Sequence, residues 1–463
     1  MVGANDTFAG VWHDAGMEAS RDRPHRVVIV GGGFAGLYAA RDLGKHESVE
    51  VTVIDRRNYH LFQPLLYQVA TGALSPGDIA QPLRAILRRN KNTRVLLGEA
   101  DALDPMARRV TLGDGGTVDY DTLVVATGAR HAYFGHDDWA ALAPGLKTIE
   151  DATDIRRRIL ISYEAAEREA DPIRRAEWMT FVVVGAGPTG VELAGALGEI
   201  SRDTLRRDFR SIRPADARVL LVEALDRVLP TYPGKLSASA RRQLERLGVT
   251  VRTGTRVTAI DEAGIDVGIH TDGRDQSQRI PTRTVLWAAG VQASSFGRKV
   301  ADALGVEVGQ AGRVPVGPYL TLPGHPEVFV LGDLAIATRQ GGKLVPGVAP
   351  AAIQEGAYAA KAIVARVHGG TPEPFRYRDR GDVAVIGRLS GVADIRWLGR
   401  FGQMSGFAAW GMWLGVHIVY LIGFANRLVV TIRWAWSFLT HGRGTRLITG
   451  EPHLPPIKRP ERL

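Results

Sequence analysis

The sequence predicts an α/β protein of two Rossmann-like dinucleotide-binding domains, followed by C-terminal amphipathic helices that associate with a membrane. Three observations predict it. Val28-Ile29-Val30-Gly31-Gly32-Gly33-Phe34-Ala35-Gly36 reads as a buried strand, a glycine turn and a helix, and Val182-Val183-Val184-Gly185-Ala186-Gly187-Pro188-Thr189-Gly190 repeats it 154 positions later. Each copy is followed by a second apolar strand that ends in an acid, Asp55 in the first and Glu223 in the second. Near the C-terminus, Met404 to Ala425 runs without a charge apart from His417 and is rich in aromatics.

In each GxGxxG the first glycine (Gly31, Gly185) makes a tight turn and the second (Gly33, Gly187) lets backbone approach a pyrophosphate. The third (Gly36, Gly190) brings helix against strand, and the helix N–H groups face the anion. Glycine turns also occur where backbones merely pack closely, but the matched strand, helix and acid in both copies favour two nucleotides, between which electrons can pass. An acid at Asp55 or Glu223 stands where a ribose is held. At Glu223 it accepts from a 2′-OH and repels a 2′-phosphate, favouring NADH over NADPH, with Arg227 nearby weakening that preference.

The closing strands repeat as well. Thr122 to Thr127-Gly128-Ala129 ends the first unit 97 positions after Gly31, and Thr284 to Ala289-Gly290-Val291 ends the second 105 positions after Gly185. Each unit is then one doubly wound sheet whose last strand returns beside the nucleotide. Phe329-Val330-Leu331-Gly332-Asp333 is a further strand ending in glycine and acid. Asp333 is a candidate for holding a sugar-alcohol chain, or else a turn Asp capping the next helix.

The 463 residues support two or three domains, and the first 24 lack an apolar run long enough for a signal peptide. There is no cysteine. That removes transfer to a disulfide and Fe–S ligation, so an acceptor takes electrons directly from a flavin. The net charge of +9 fits nucleic acid, anionic lipid or a solvated face equally well; its placement decides. From Asp394 to Glu451 no acid interrupts Arg396, Arg400, Arg427, Arg433, Arg443 and Arg446, in a stretch that also holds most of the tryptophan. Apolar residues on one side and arginines on the other describe helices in the headgroup layer of an anionic bilayer. A transmembrane hairpin would place Arg433 in hydrocarbon. A pair of helices packed in the core, or a dimer interface, is the third reading.

Asn58 to Gly72 mixes apolar bulk with Gln63, Tyr67 and Gln68 and reads as a loop and short helix over the flavin, either forming a quinone pocket or only packing on the cofactor. Val345 to Gly356 opens a small-residue helix through Ala362 whose N-terminus is suited to negative charge on a reduced flavin.

These features together, the two GxGxxG units, Asn58 to Gly72, Leu331-Gly332-Asp333, Ala349 to Gln354 and the C-terminus, resemble type II NADH dehydrogenase over roughly residues 24 to 445. That family is the single-subunit, non-proton-pumping NADH:quinone oxidoreductase. The resemblance implies a fold of the two-dinucleotide-binding flavoprotein type. FAD would be held non-covalently by Gly31, Gly33, Gly36, Asp55, Thr127 and Gly128, with Gly332 and Asp333 at its ribityl chain. NADH, the substrate, would lie on Gly185, Gly187, Gly190, Glu223 and Gly290. Glu192 matches the family's acid near the nicotinamide, and Gln354 the second glutamine of its AQxxxQ quinone motif; both are catalytic candidates. Pro350 stands where the first glutamine is expected and removes one side-chain hydrogen bond. The implied quinone site is Gln63, Tyr67, Gln68, Pro350 and Gln354, and no metal is implied.

The expected organisation is a disordered tail over 1–23, an FAD-binding domain over 24–150 and 291–380, and an NADH-binding domain over 151–290. A membrane-associating region follows over 381–445, then a flexible tail over 446–463. Partners are NADH, a membrane quinone (menaquinone or ubiquinone), an anionic membrane surface and a second copy in a homodimer, with no nucleic acid. The expected location is the cytoplasmic face of the inner membrane, without a span. A soluble NADH-dependent ferredoxin or rubredoxin reductase, and an NADH-sensing flavoprotein without turnover, are the rival readings.

Overall fold

The computed structural model describes residues 23–450 and 454, apart from 272–273, 423 and 441–443. The tail expected over 1–23, apart from Arg23, and most of that expected over 446–463 lie outside the described residues, as does Arg443.

Strands Thr93–Leu97, Val49–Asp55, His25–Val30 and Thr122–Val125 lie parallel in that order. His325–Val330 extends the sheet beside Thr122–Val125, and the short strand Thr321–Leu322 closes its edge antiparallel. The second unit repeats the arrangement with Val249–Arg252, Arg218–Val222, Thr180–Val184 and Thr284–Trp287, again all parallel. The duplication reaches a detail that the glycine motifs do not announce. Before its last strand each unit inserts a three-stranded antiparallel meander, Ala100–Asp104, Arg109–Leu112 and Thr117–Asp119 in the first, Thr255–Asp261, Gly264–Thr271 and Arg274–Pro281 in the second. The central strands are covered on both faces, which is why they read as unbroken apolar runs: all of Thr180–Val184 and all of Val27 to Val30 are buried.

The two units are tied by strands that continue past their closing glycines, Ala129–His131 pairing antiparallel with Val291–Ala293. Helix Ile149–Arg168, opened by a Thr148/Asp151 capping box, bridges them. Its Ile155 and Ile159 share one apolar cluster with Leu66 from the first unit and Val183 from the second. Helix Ala349–Val367 lies across helix Phe34–Leu43 without intervening side chains, because a Cβ on Gly356 would overlap the Ala35 carbonyl. In the second unit a Cβ on Gly195 would meet the Ile386 carbonyl. There the small antiparallel sheet Asp382–Gly387, Ser390–Asp394 and Gln403–Ser405 rests on helix Pro188–Glu199.

Two helices, Phe407–Tyr420 and Phe424–Thr440, complete the chain. Among the described residues no helix is long and apolar enough to cross a membrane. The first spans 14 residues, about 21 Å at the usual helical rise against the roughly 30 Å of a hydrocarbon core. The transmembrane hairpin is therefore set aside. The expectation of a free arginine face is also corrected. Arg433 pairs with Asp78 at 3.2 Å, Arg396 with Asp379 and Asp382, and Arg446 with Asp208. Arg427 donates to the carbonyls of Leu421 and Val419, at 2.7 and 2.9 Å, closing the end of the preceding helix. Arg433 and Arg446 thus fasten the helical segment to the body, Arg427 ties its two helices together, and Arg396 is held before them. The inner side of the pair joins the core through Trp413 and Val430, while Phe407, Val419, Leu428, Ile432 and Trp436 stay exposed.

Replacing Gly356 by Ala drives a methyl into the Ala35 backbone and pries the two helices apart. Denaturant unfolding is expected to show a loss of about 1–3 kcal/mol, as for other overpacked cores; a variant as stable as the parent would mean that the contact is slack.

Candidate functional site

The first cleft forms at the carboxyl ends of the six-stranded sheet, where the strand order reverses between His25–Val30 and Thr122–Val125. Gly31 has φ +106°, and the backbone of Ala126 occupies the place of its missing Cβ. Gly33 is the N-cap of helix Phe34–Leu43, with no side chain capping the helix and nothing within 4 Å of where its Cβ would sit. A Cβ on Gly36 would overlap the Gly31 carbonyl. The helix thus starts with free N–H groups facing open space, a cradle for an anion. Asp55 accepts from the N–H of Gly32 at 2.5 Å and of Arg57 at 2.7 Å. Burial nevertheless pushes its carboxyl above the usual range, those two donors opposing the shift.

Thr127 bonds the hydroxyl of Ser294 at 2.5 Å, and Gly128 has φ +67°. Across the switch, Gly332 has φ +72° and donates its N–H to the Glu355 carboxyl, while Asp333 lies 3.7 Å from the Lys147 ammonium. Glu355 is buried and its pKa is pushed up to about 8, chiefly by desolvation. The cradle at one end and Asp333 at the other fit a flavin dinucleotide: a pyrophosphate at the helix start, a ribose by Asp55 and a polyol by Asp333.

The second cleft repeats this geometry. Gly185 has φ +97° with the backbone of Ala288 and Ala289 behind it, Gly187 is an uncapped N-cap with open space, and a Cβ on Gly190 would overlap the Gly185 carbonyl. Glu223 accepts from the N–H of Ala186 at 2.6 Å and of Leu225 at 2.8 Å. Arg227 turns away from it to the Pro230 carbonyl. Gly290, φ +76°, has the Phe134 ring where a side chain would stand.

A cavity of about 140 Å³ lies where helices Leu66–Ala70 and Pro188–Glu199 meet the small sheet and the C-terminal helices. Its walls include Tyr67, Gln68, Glu192, Arg388, Trp413 and Trp434. Gln68 accepts from the Trp434 indole at 2.7 Å and donates to the Tyr67 hydroxyl at 2.9 Å, so the last helix is bonded to the first unit through the cavity wall. Burial pushes the Glu192 carboxyl up to about 8, with the Val385 N–H, at 3.4 Å, and the neighbouring Trp413 opposing. Aromatic contacts run from the first glycine motif to this wall: Phe34 on Phe62 (5.8 Å between centroids), Phe62 on His417 (6.0 Å) and His417 stacked on Trp413 (4.1 Å).

The residues expected around a quinone divide into groups. Tyr67 and Gln68 line the cavity together with Glu192. Gln63 is turned to the Lys147 carbonyl, outside the cavity lining. Gln354 sits one turn into helix Ala349–Val367, its amide hydrogens on the carbonyls of Pro350 and Arg378 and its oxygen on the Arg378 N–H. Its amide is held by backbone, and neither it nor Pro350 reaches the cavity. Sequence reasoning missed Lys147, Glu355 and Arg388. Trp413 and Trp434 lie in the C-terminal stretch, which the sequence reads for lipid, a span or helix packing but not as the wall of a cavity.

The pyridine nucleotide-disulphide oxidoreductase family model matches residues 25–356. The type II NADH:quinone oxidoreductase Ndh of Mycobacterium tuberculosis is 46% identical over 94% of this chain and 92% of its own length. A second protein of that organism, NdhA, is 47% identical over 92% and 90%. In fold, NDH2 of Plasmodium falciparum in complex with RYL-552 superposes with a TM-score of 0.82 at 20% identity, over 90% of this chain and 98% of that one.

Two outcomes follow from the site geometry. Gly33→Val fills the open space before the helix start, and the purified variant is expected to come without flavin; a normal flavin content would refute the cradle. Glu192 and Glu355 remain protonated in the fold up to about pH 8, against 4.5 ordinarily. Between those values the folded chain binds more protons than the unfolded one, so stability falls as pH rises from about 4.5 to 8. Melting temperatures of Glu192→Gln should fall less over that range, and an unaltered slope would mean that the carboxyl is ionised in the fold.

Proposed function

The chain belongs to the pyridine nucleotide-disulphide oxidoreductases and, within them, to the type II NADH:quinone oxidoreductases, and we propose how its residues share that activity. The protein oxidises NADH and reduces a membrane quinone without pumping protons, bound FAD supplying the hydride acceptor and two-electron donor between them. The disulfide chemistry after which the wider family is named is closed to it, since it has no cysteine.

FAD belongs on the first cleft and NADH on the second. The observation that carries this assignment is the pair of uncapped helix starts at Gly33 and Gly187, each facing open space with an acid at the end of the next strand. Glu223 bonds two backbone N–H groups and has no cation bonded to it among the described residues, so it accepts a ribose hydroxyl and disfavours a 2′-phosphate. The proposed domain division is 24–150 with 291–380 against 151–290; in its support, the parallel strands between 25 and 125 share one sheet with the strands at 321–330, and the parallel strands between 180 and 287 form another.

The quinone head group belongs in the cavity beside Glu192. Its tryptophans offer a ring a face to stack on, and Tyr67, Gln68, Glu192 and Arg388, with Glu199 and Asp203 at the same wall, offer polar partners to two carbonyls. Glu192 holds a proton at its carboxyl below about pH 8 and is placed to give it to a quinone oxygen. Tyr67 and Gln68 orient the carbonyls, with Gln68 fixed in turn by Trp434. Gln354 acts from further off, by holding the Arg378 backbone against helix Ala349–Val367.

Membrane contact belongs to the exposed apolar residues. Leu428, Ile432 and Trp436 are spaced four apart on one helix and form a strip beyond the cavity. NADH is drawn from the soluble pool, which places the protein on the cytoplasmic face of the inner membrane, lying on the bilayer. A soluble ferredoxin reductase would have no use for that strip.

The purified protein should be yellow, lose its flavin absorbance on adding NADH and recover it on adding a short-chain quinone. A chain reduced by NADH that no quinone reoxidises would overturn the assignment. Ile432→Glu with Trp436→Glu should weaken binding to vesicles about tenfold or more while dye reduction by NADH persists. Arg433→Glu, set against Asp78, should lower the melting temperature. Vesicle binding unaffected by the double substitution would discard the strip.

A further inference from the structure

Three consecutive arginines on helix Ile149–Arg168 have different fates. Arg157 and Arg158 share the Asp154 carboxylate, at 2.5 and 2.8 Å. Arg156 is 5% exposed and pairs with no carboxylate or hydrogen-bond acceptor among the described residues; its Nε is buried without a partner. Burial alone lowers its pKa. A largely buried guanidinium without a counter-charge is costly to a fold, and an anionic ligand that completes it would offset that cost.

Arg156 borders a small second cavity of about 10 Å³, roofed by the turn Ala70-Thr71-Gly72 and floored by Ile200. The roof is fixed by the chain returning from the C-terminal helices: Thr445 donates its N–H to the Gly72 carbonyl at 3.1 Å and its hydroxyl to the Leu74 carbonyl at 3.0 Å. That return brings Arg446 to the mouth of the same cavity, steadied by Asp208 and the Thr204 carbonyl. The floor is where helix Pro188–Glu199 runs on into the π-turn Ile200–Thr204, a local widening that tends to mark functional sites. Two guanidinium groups, one buried and one at the rim, therefore address one opening, and no acid lines it.

We propose that Arg156 and Arg446 form a binding site for a phosphate-type oxyanion, distinct from both nucleotide clefts. The cavity takes one or two oxygens onto the Arg156 fork while the rest of the anion stays at the mouth beside Arg446. The source is either a free phosphate or the phosphodiester of a phospholipid, since the Thr445–Arg446 strap follows the helix that carries the exposed apolar strip. An anion there sits beneath the turn that ends the helix bearing Tyr67 and Gln68, and braces it.

The test uses the full-length flavin-loaded protein with NAD⁺ saturating the second cleft, so that added phosphate does not enter it. Potassium phosphate is exchanged for potassium chloride at constant ionic strength. The melting temperature is expected to rise saturably by about 2–4 °C and the ³¹P line to broaden, with Arg156→Met abolishing both responses and Arg446→Ala shifting the midpoint several-fold upward. In phosphate-free buffer Arg156→Met should melt at or above the parent. If inorganic phosphate does nothing, yet phosphatidylglycerol vesicles stabilise the parent more than phosphatidylcholine vesicles and Arg156→Met erases that difference, the ligand is the lipid phosphate. The site is refuted if neither probe separates Arg156→Met from the parent. It is also refuted if Arg156→Met melts below the parent in phosphate-free buffer. Should Arg156→Met fail to fold, the parent and Arg446→Ala decide the question: absence of ³¹P broadening together with absence of any lipid preference overturns it.

Discussion

Backbone N–H groups at the start of a helix need a partner, and at Phe34–Leu43 and Pro188–Glu199 no side chain supplies one. Everything else in the molecule is arranged around those two vacant starts. Gly31 and Gly185 aim the helices and Gly36 and Gly190 press them onto their strands. The following strand of each unit delivers an acid to the same edge. The four parallel strands common to both sheets come in the same order because each set builds the same crevice, and the paired strands Ala129–His131 and Val291–Ala293 tie the two units together. A chain with one such unit binds a nucleotide; a chain with two moves charge between them.

The C-terminal layer shows how one residue type serves an end that composition alone misreads. An acid-free stretch with six arginines invites an account in terms of anionic lipid. Yet Arg396, Arg433 and Arg446 have carboxylate partners elsewhere in the chain and Arg427 closes a helix end, so their charge is largely answered inside the protein. Exposed ion pairs of this kind add little stability singly. Their geometric effect is to dock the segment: Arg433 on Asp78 lies one residue from Trp434, which bonds Gln68 at the cavity wall. Desolvation beside that wall pushes the Glu192 carboxyl up to about 8.

Much of this was legible in the sequence wherever the backbone itself dictates the residue. Gly31, Gly33, Gly36 and their counterparts stand where a Cβ either collides or would fill the cradle, and Asp55 and Glu223 end strands at the expected edge. The meanders were not legible, since short antiparallel strands carry weak signals. Side chains whose meaning depends on distant partners were legible least. Gln354 matches a motif but spends its amide on the Arg378 backbone, 24 positions on. Lys147 has no local signature and gains a role only by reaching Asp333. Arg156 looks like its neighbours Arg157 and Arg158 until burial separates them.

The central claim is that one chain holds two different nucleotides at once on duplicated sheets. Calorimetric titration of NAD⁺ into the yellow protein, with flavin quantified after acid release from the same sample, tests it directly. The account predicts one releasable FAD per chain and, beside it, one NAD⁺ bound without displacing flavin. A total of one nucleotide per chain, or flavin expelled as NAD⁺ binds, would contradict it.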